Sequence, residues 1–121
     1  MIYLDIEILD WFGDPEIAKL EKWRQHAHLR FGLATTYSAR EGFRTWWPDE
    51  IAPLYARMCE QPGPIVTWNG DSFDIPYMIV QAVRAGATID PWELLPPSLD
   101  LMALIMRESK RLTGMISAGT S

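Results

Sequence analysis

Met1 to Leu9 alternates with a period of two: Ile2, Leu4, Ile6 and Ile8 share one face, and Tyr3, Asp5, Glu7 and Leu9 the other. That pattern predicts a strand whose isoleucine and leucine face is buried. Asp14-Pro15-Glu16 is a helix-start signature, with Asp14 as N-cap and Pro15 at the first helical position, and Ile17, Leu20, Trp23 and Ala27 recur at roughly helical spacing. One short helix is therefore expected to about Gln25. The run Arg30 to Tyr37 has strand composition, and Gly42 to Trp47 reads as its hairpin partner across the turn Ser38–Glu41. Pro48 ends that strand. A helix follows with Asp49 as N-cap and Pro53 in its first turn, carrying an apolar stripe of Ile51, Leu54, Tyr55, Met58 and Cys59.

After the stop Pro62-Gly63-Pro64, the run Ile65-Val66-Thr67-Trp68 is apolar and β-branched and enters Asn69-Gly70, as suits a buried central strand. The next helix has the clearest signal: Ile75, Met78, Ile79, Ala82 and Val83 fall on one face, Pro76 lies in the first turn, and Gly86 stands where a left-handed C-terminal residue belongs. A connection broken by Pro91, Pro96 and Pro97 leads to Ser98-Leu99-Asp100, where Asp100 reads as N-cap of a last helix containing Met102, Ile105, Met106 and Leu112. Lys110 and Arg111 suit the C-terminal end of that helix. The segment 114–121 is small and polar and is expected to be a flexible tail. The element order predicts an α/β fold: a mixed sheet flanked by helices, with a hairpin at one side and parallel strands joined by helices.

Composition narrows the function classes. With 121 residues, 48% of them hydrophobic, the chain fills one domain and has apolar surface enough to collapse against a net charge of only -5. A single cysteine, Cys59, excludes an internal disulfide, and with only His26 and His28 it makes a poor basis for structural zinc. Any metal would need carboxylates. The opening segment lacks a basic leader and interrupts its apolar run with Asp5 and Glu7, and no apolar stretch approaches the ~20 residues of a membrane span. The chain reads as a cytoplasmic protein with no membrane partner.

Asp5 and Glu7, two residues apart on a strand, project from the same face and can meet one divalent ion, although an alternating strand with acids outward is also an ordinary solvated face. A second segment, Trp68-Asn69-Gly70-Asp71-Ser72-Phe73-Asp74-Ile75-Pro76-Tyr77, sets an Asn at the end of a buried strand and Asp74 in the first turn of a helix. There the helix dipole and free amides are expected to favour its ionised form, whether it caps the helix or holds a metal.

Asp5-Ile6-Glu7 followed by Asn69-Gly70-Asp71-Ser72-Phe73-Asp74 resembles the first two motifs of the DEDD superfamily of RNase H-like 3′-to-5′ exonucleases, particularly the proofreading domains of B-family DNA polymerases and related stand-alone predicted exonucleases. Ile75-Pro76-Tyr77 matches the polymerase-like branch. The resemblance covers most of the chain, 1–113, and implies an RNase H-like fold. It implies Asp5, Glu7 and Asp74 as ligands of two Mg²⁺ or Mn²⁺ ions, and Asn69, Phe73 and Tyr77 as contacts to a single-stranded DNA or RNA 3′ end, with packing as the competing role for Phe73 and Tyr77.

The family's fourth acid, in a Tyr-x-x-x-Asp or His-x-x-x-Asp on a late helix, has no counterpart. Asp90 and Asp100 follow Gly86 and Pro96 instead of the required Tyr or His. The expectation is a C-terminally incomplete exonuclease: a truncated piece, or a short variant whose missing acid comes from a homo-oligomer or partner subunit. The alternative is a non-catalytic nucleic-acid-binding or assembly module. Of Trp46 and Trp47, on opposite strand faces, one is expected in the core and the other exposed, for base stacking or protein contacts. His26 and His28 are assigned to the surface, and the dispersed Arg40, Arg44, Arg84, Lys110 and Arg111 give phosphate binding only weak support.

Overall fold

A computed structural model describes residues 1–11, 13–88 and 95–119, the last five by backbone alone. Asp90 and Pro91 lie outside the described residues, as do 120–121 of the expected tail. The elements in chain order are β1 (Ile2–Ile8), α1 (Pro15–Ala18), α2 (Lys22–His28), β2 (Phe31–Ser38), β3 (Gly42–Trp46), a 3-10 turn (Pro48–Glu50), α3 (Ile51–Cys59), β4 (Ile65–Thr67), α4 (Asp74–Arg84), β5 (Ser98–Asp100) and α5 (Leu101–Gly119). The strands form one mixed sheet in the order β3-β2-β1-β4-β5. β1 and β2, and β2 and β3, run antiparallel; β4 is parallel to both β1 and β5. This is the mixed α/β architecture expected, consistent with an RNase H-like fold. No helix among the described residues is long and apolar enough to cross a membrane.

The period-two reading of β1 holds residue by residue: Ile2, Leu4 and Ile6 are buried, and Tyr3, Asp5 and Glu7 exposed. Their buried face meets Leu54 and Met58 of α3 and Tyr77, Met78 and Ala82 of α4 in one core. Trp46 lies in that core, its indole N–H donating to Thr36 Oγ1 at 2.9 Å, while its neighbour Trp47 is exposed. α4 ends as its glycine suggested. Gly86 has φ 98°, its amide donates to Val83 O, and the Ala87 amide donates to Ala82 O, which closes a Schellman cap.

Several boundaries differ from the sequence reading. The single helix expected to Gln25 is two, because Glu21 is extended (φ -60°, ψ 152°) and its carbonyl starts a new helix by accepting the Gln25 amide. The restart changes which residues face inward: Trp23 is exposed, and His26 is the buried residue of α2. Asp49 does not cap α3. The 3-10 turn precedes that helix, and Glu50 bonds back to the Trp47 amide at 3.0 Å. Ser98-Leu99-Asp100 is a strand as well as a helix entry, since pairing with β4 from Ile65↔Ser98 to Thr67↔Asp100 satisfies its backbone. α5 passes Gly114 and runs to Gly119.

Leu54, fully buried between α3 and the sheet, provides a test of this core. Leu54→Ala should lower unfolding free energy by about 2–5 kcal/mol, read from the urea midpoint by circular dichroism.

Candidate functional site

The carboxyl ends of the parallel strands β1 and β4 open on a cleft of about 490 Å³, where open α/β sheets commonly bind ligands. Asp74 joins its two sides. β1 pairs with β4 at Ile2↔Ile65 and Tyr3↔Val66, so the Ile6 amide, further along β1, lies beyond that pairing; it donates to the Asp74 carboxylate at 3.1 Å. The first residue of α4 is thereby bonded to the β1 backbone between Asp5 and Glu7.

Burial dominates the electrostatics of Asp74. Its carboxyl is pushed up to about 7, chiefly by desolvation, with further upward contributions from the charges of Asp5 and Glu7; the Ile6 amide and its own helix-start amide oppose the shift. The sequence argument for a readily ionised Asp74 is corrected here, because loss of hydration outweighs the helix dipole. Glu7 is also raised, by burial, by the charge of Asp5, and by a hydrogen bond with Asp5. Asp5 and Glu7 remain exposed on β1, opposite Thr35 and Leu33 of β2.

The loop before α4 is held by a second carboxylate. Asp100 Oδ1 accepts the Asn69 amide at 2.8 Å and those of Met102 and Ala103 at 3.1 and 3.3 Å, while Oδ2 accepts the Asp71 amide at 3.3 Å. Its N-cap role is as expected, with the loop contacts added. Asn69 adopts the left-handed region (φ 62°), which its residue type tolerates well. Gly70 donates to Thr67 Oγ1 at 3.0 Å, and a Cβ there would collide with the Thr67 side chain.

The cleft gathers Glu7, Asn69, Phe73 and Asp74. Asp5 instead borders an adjoining depression with Thr35 and Tyr37, and Trp68 lines both. Tyr77 is corrected: it has no exposed surface with which to touch a strand, and its hydroxyl donates to Leu29 O at 2.8 Å. Its ring backs Phe73, stacked at 5.1 Å, so Tyr77 supports the wall of the cleft.

His26 is a second correction. It is 4% exposed, lines the cleft, and packs 5.5 Å from the Phe73 ring, and neither ring nitrogen has a hydrogen-bond partner among the described residues. Burial, helped by the charge of Lys22, holds its pKa below the ordinary range and keeps the ring neutral. Lys22, Gln25 and Leu29 also line the cleft. A helix restarting at Lys22 puts 22, 25, 26 and 29 on one face, a phase concealed by reading one helix from Pro15. α4 fixes that face: Gln81 Nε2 donates to the carbonyls of His26, Ala27 and Leu29, and Arg84 bonds the Ala27 carbonyl, answering the open C-terminal end of α2.

Among the described residues, no three His, Cys, Asp or Glu side chains form a ready cluster for a metal ion. The donor chemistry nevertheless fits a hard divalent cation: Glu7 and Asp74 are each raised by burial and then by the charge of Asp5, and none of the three carboxylates is ion-paired to Lys or Arg among the described residues.

No protein-family model matches the sequence, and no curated protein matches it. Among solved structures, the family B DNA polymerase from the hyperthermophilic archaeon Pyrobaculum calidifontis is similar in fold, with a TM-score of 0.60 at 14% sequence identity over 86% of this chain. The chain spans 15% of the length of that polymerase chain.

The raised Asp74 sets a sign for pH dependence. The folded state holds this proton more tightly than an unfolded carboxyl near 3.8, so it binds more protons between that value and about 7, and stability falls as pH rises through the window. Asp74→Asn, which keeps an acceptor for Ile6, should match or exceed wild-type stability at about pH 8 in metal-free buffer. The difference should shrink toward pH 4. Urea midpoints across that range check it, and a variant less stable than wild type at the upper end contradicts the burial penalty.

Proposed function

We propose that this chain is a metal-dependent 3′-to-5′ exonuclease domain that hydrolyses phosphodiester bonds at single-stranded DNA or RNA ends. The observation that carries this reading is the Asp74 carboxylate bonded to the β1 backbone between Asp5 and Glu7, beside a cleft at the carboxyl ends of parallel strands. The fold shared with a family B DNA polymerase supports a nucleic-acid role.

In this reading Asp5, Glu7 and Asp74 hold two Mg²⁺ or Mn²⁺ ions. Bound there, such ions supply activated water and charge stabilisation for the leaving 3′ oxygen. The protein's own groups do the remainder. Asn69, fixed by Asp100, orients the terminal nucleotide; Phe73, backed by Tyr77, offers a partly exposed ring to its base or sugar; and Glu7 meets its 3′ hydroxyl. The buried, neutral His26 behind Phe73 stiffens that wall.

The lack of a ready three-carboxylate cluster favours a second reading, a nucleic-acid-binding or assembly module with this fold and no turnover. A 5′-labelled single strand incubated with Mn²⁺ separates the two. The exonuclease reading expects stepwise shortening from the 3′ end, reduced at least about 100-fold by Asp5→Ala or Asp74→Ala, as for loss of a group that stabilises transition-state charge. Absence of shortening at any protein concentration favours the module, and full activity in either variant refutes the ligand assignment.

Metal binding has its own readout. Mn²⁺ should raise the melting temperature, and the rise should continue with the logarithm of its concentration above the dissociation constant; Asp5→Ala should remove most of that rise. Differential scanning fluorimetry over a Mn²⁺ titration measures it.

A further inference from the structure

Beside the cleft, on the far side of the Asn69–Ser72 loop, lies a groove of about 450 Å³ walled by α5. The two spaces adjoin, since Asn69, Ser72 and Met102 line both. Arg107 and Lys110 line the groove from successive turns of α5. Lys19, Arg30, Arg57 and Arg111 each bond a carboxylate, whereas Arg107 and Lys110, like Lys22, Arg24, Arg40, Arg44 and Arg84, have no ion-pair partner among the described residues. Arg111, the other cation of that segment, is held by Glu108 at 2.9 Å.

Two acids also border the groove, and both are engaged elsewhere. Asp100 is buried and accepts four backbone amides; Asp71 accepts the Ser98 hydroxyl. Asp100 is thus withdrawn from the surface, and the two exposed cations face one exposed acid, Asp71. Side chains three apart on a helix stand about 5–6 Å from each other at Cβ. Two long, flexible cations with that separation can meet successive phosphates of an extended strand.

We propose that this groove is a track for the sugar–phosphate backbone of a single strand whose 3′ end occupies the cleft, with Arg107 and Lys110 each meeting one phosphate. The proposal rests on the nucleic-acid reading above but needs no turnover. It also gives the strand a direction, with the terminal nucleotide at Phe73 and the preceding nucleotides passing over Asn69 and Ser72 toward α5.

The test measures fluorescence anisotropy of labelled oligothymidylates in EDTA, where metal-assisted hydrolysis cannot shorten the probe. Arg107→Ala/Lys110→Ala should weaken binding by tenfold or more at low salt. It should also reduce the slope of log K against log salt by about 1.4, the value for two phosphate contacts on a single strand. Lys19→Ala/Arg40→Ala removes the same charge away from the groove and should leave the slope near wild type. Wild-type affinity should rise between two and about five nucleotides, and the Arg107/Lys110 variant should lose that length dependence.

Unchanged affinity and slope in that variant overturn the track, while shortening activity in the wild type would leave the exonuclease reading standing. Strand binding that follows the groove residues without any shortening upholds the track and overturns the enzymatic reading. Competition by polyglutamate as effective as by oligonucleotide assigns the groove to an acidic polypeptide and overturns the strand assignment. A wild-type protein that binds no oligonucleotide in EDTA overturns the track, and the shortening assay with Mn²⁺ decides the exonuclease reading separately.

Discussion

The structure turns on one buried hydrogen bond, from the Ile6 amide to the Asp74 carboxylate. A strand amide exposed beyond the end of its neighbour must find an acceptor or lose the free energy of hydration, and here the acceptor is the first side chain of a helix. That contact fixes the approach of α4 to the sheet, and through Tyr77, Gln81 and Arg84 it fixes α2 as well. A cleft with walls from β1, α2 and the Asn69–Ser72 loop follows from that placement. The position that makes this contact, and not the bond itself, raises the Asp74 carboxyl: burial makes it costly to ionise without a cation nearby, and the Ile6 amide only partly offsets that cost.

A second carboxylate repeats the logic at the other parallel strand. Asp100 ends β5, caps α5 and secures the loop after β4, so three elements share one anion surrounded by amide dipoles. The two acids differ in consequence. Asp100 has its oxygens occupied by four amides, which leaves it a structural role. Asp74 accepts one amide from β1 and feels the charges of Asp5 and Glu7, the setting on which the proposed metal site rests.

Much of this was legible in the sequence where local patterning and tertiary demand agree. The alternation of β1, the stripe of α4, the left-handed Gly86 and the split fates of Trp46 and Trp47 follow from period, turn chemistry and strand geometry. Reading failed where a non-local partner decides. Glu21 breaks the first helical segment because α2 must turn a different face to α4, and this carries His26 into the core. Ser98–Asp100 becomes a strand only because β4 is there to pair with it. The expected roles of Asp5, Glu7, Asn69 and Phe73 drew on motif order, and proximity to the cleft is what the structure adds. It also separates Asp5, beside its own depression, from the cleft that holds the others.

β4 is three residues long, all of them buried, yet it occupies the place between β1 and β5. On one side of it lies the antiparallel meander of β1, β2 and β3; on the other lie β5 and the start of α5. Peeling so short a strand breaks few ladder bonds, so the sheet has a natural line of parting there, and hydrogen exchange at Val66 and Thr67 reports on it. The line runs through the site itself, with Glu7 on one bank and Asn69 and Asp100 on the other. A ligand that bridges the two banks would therefore stabilise the pairing of β1 with β4 along with its own site.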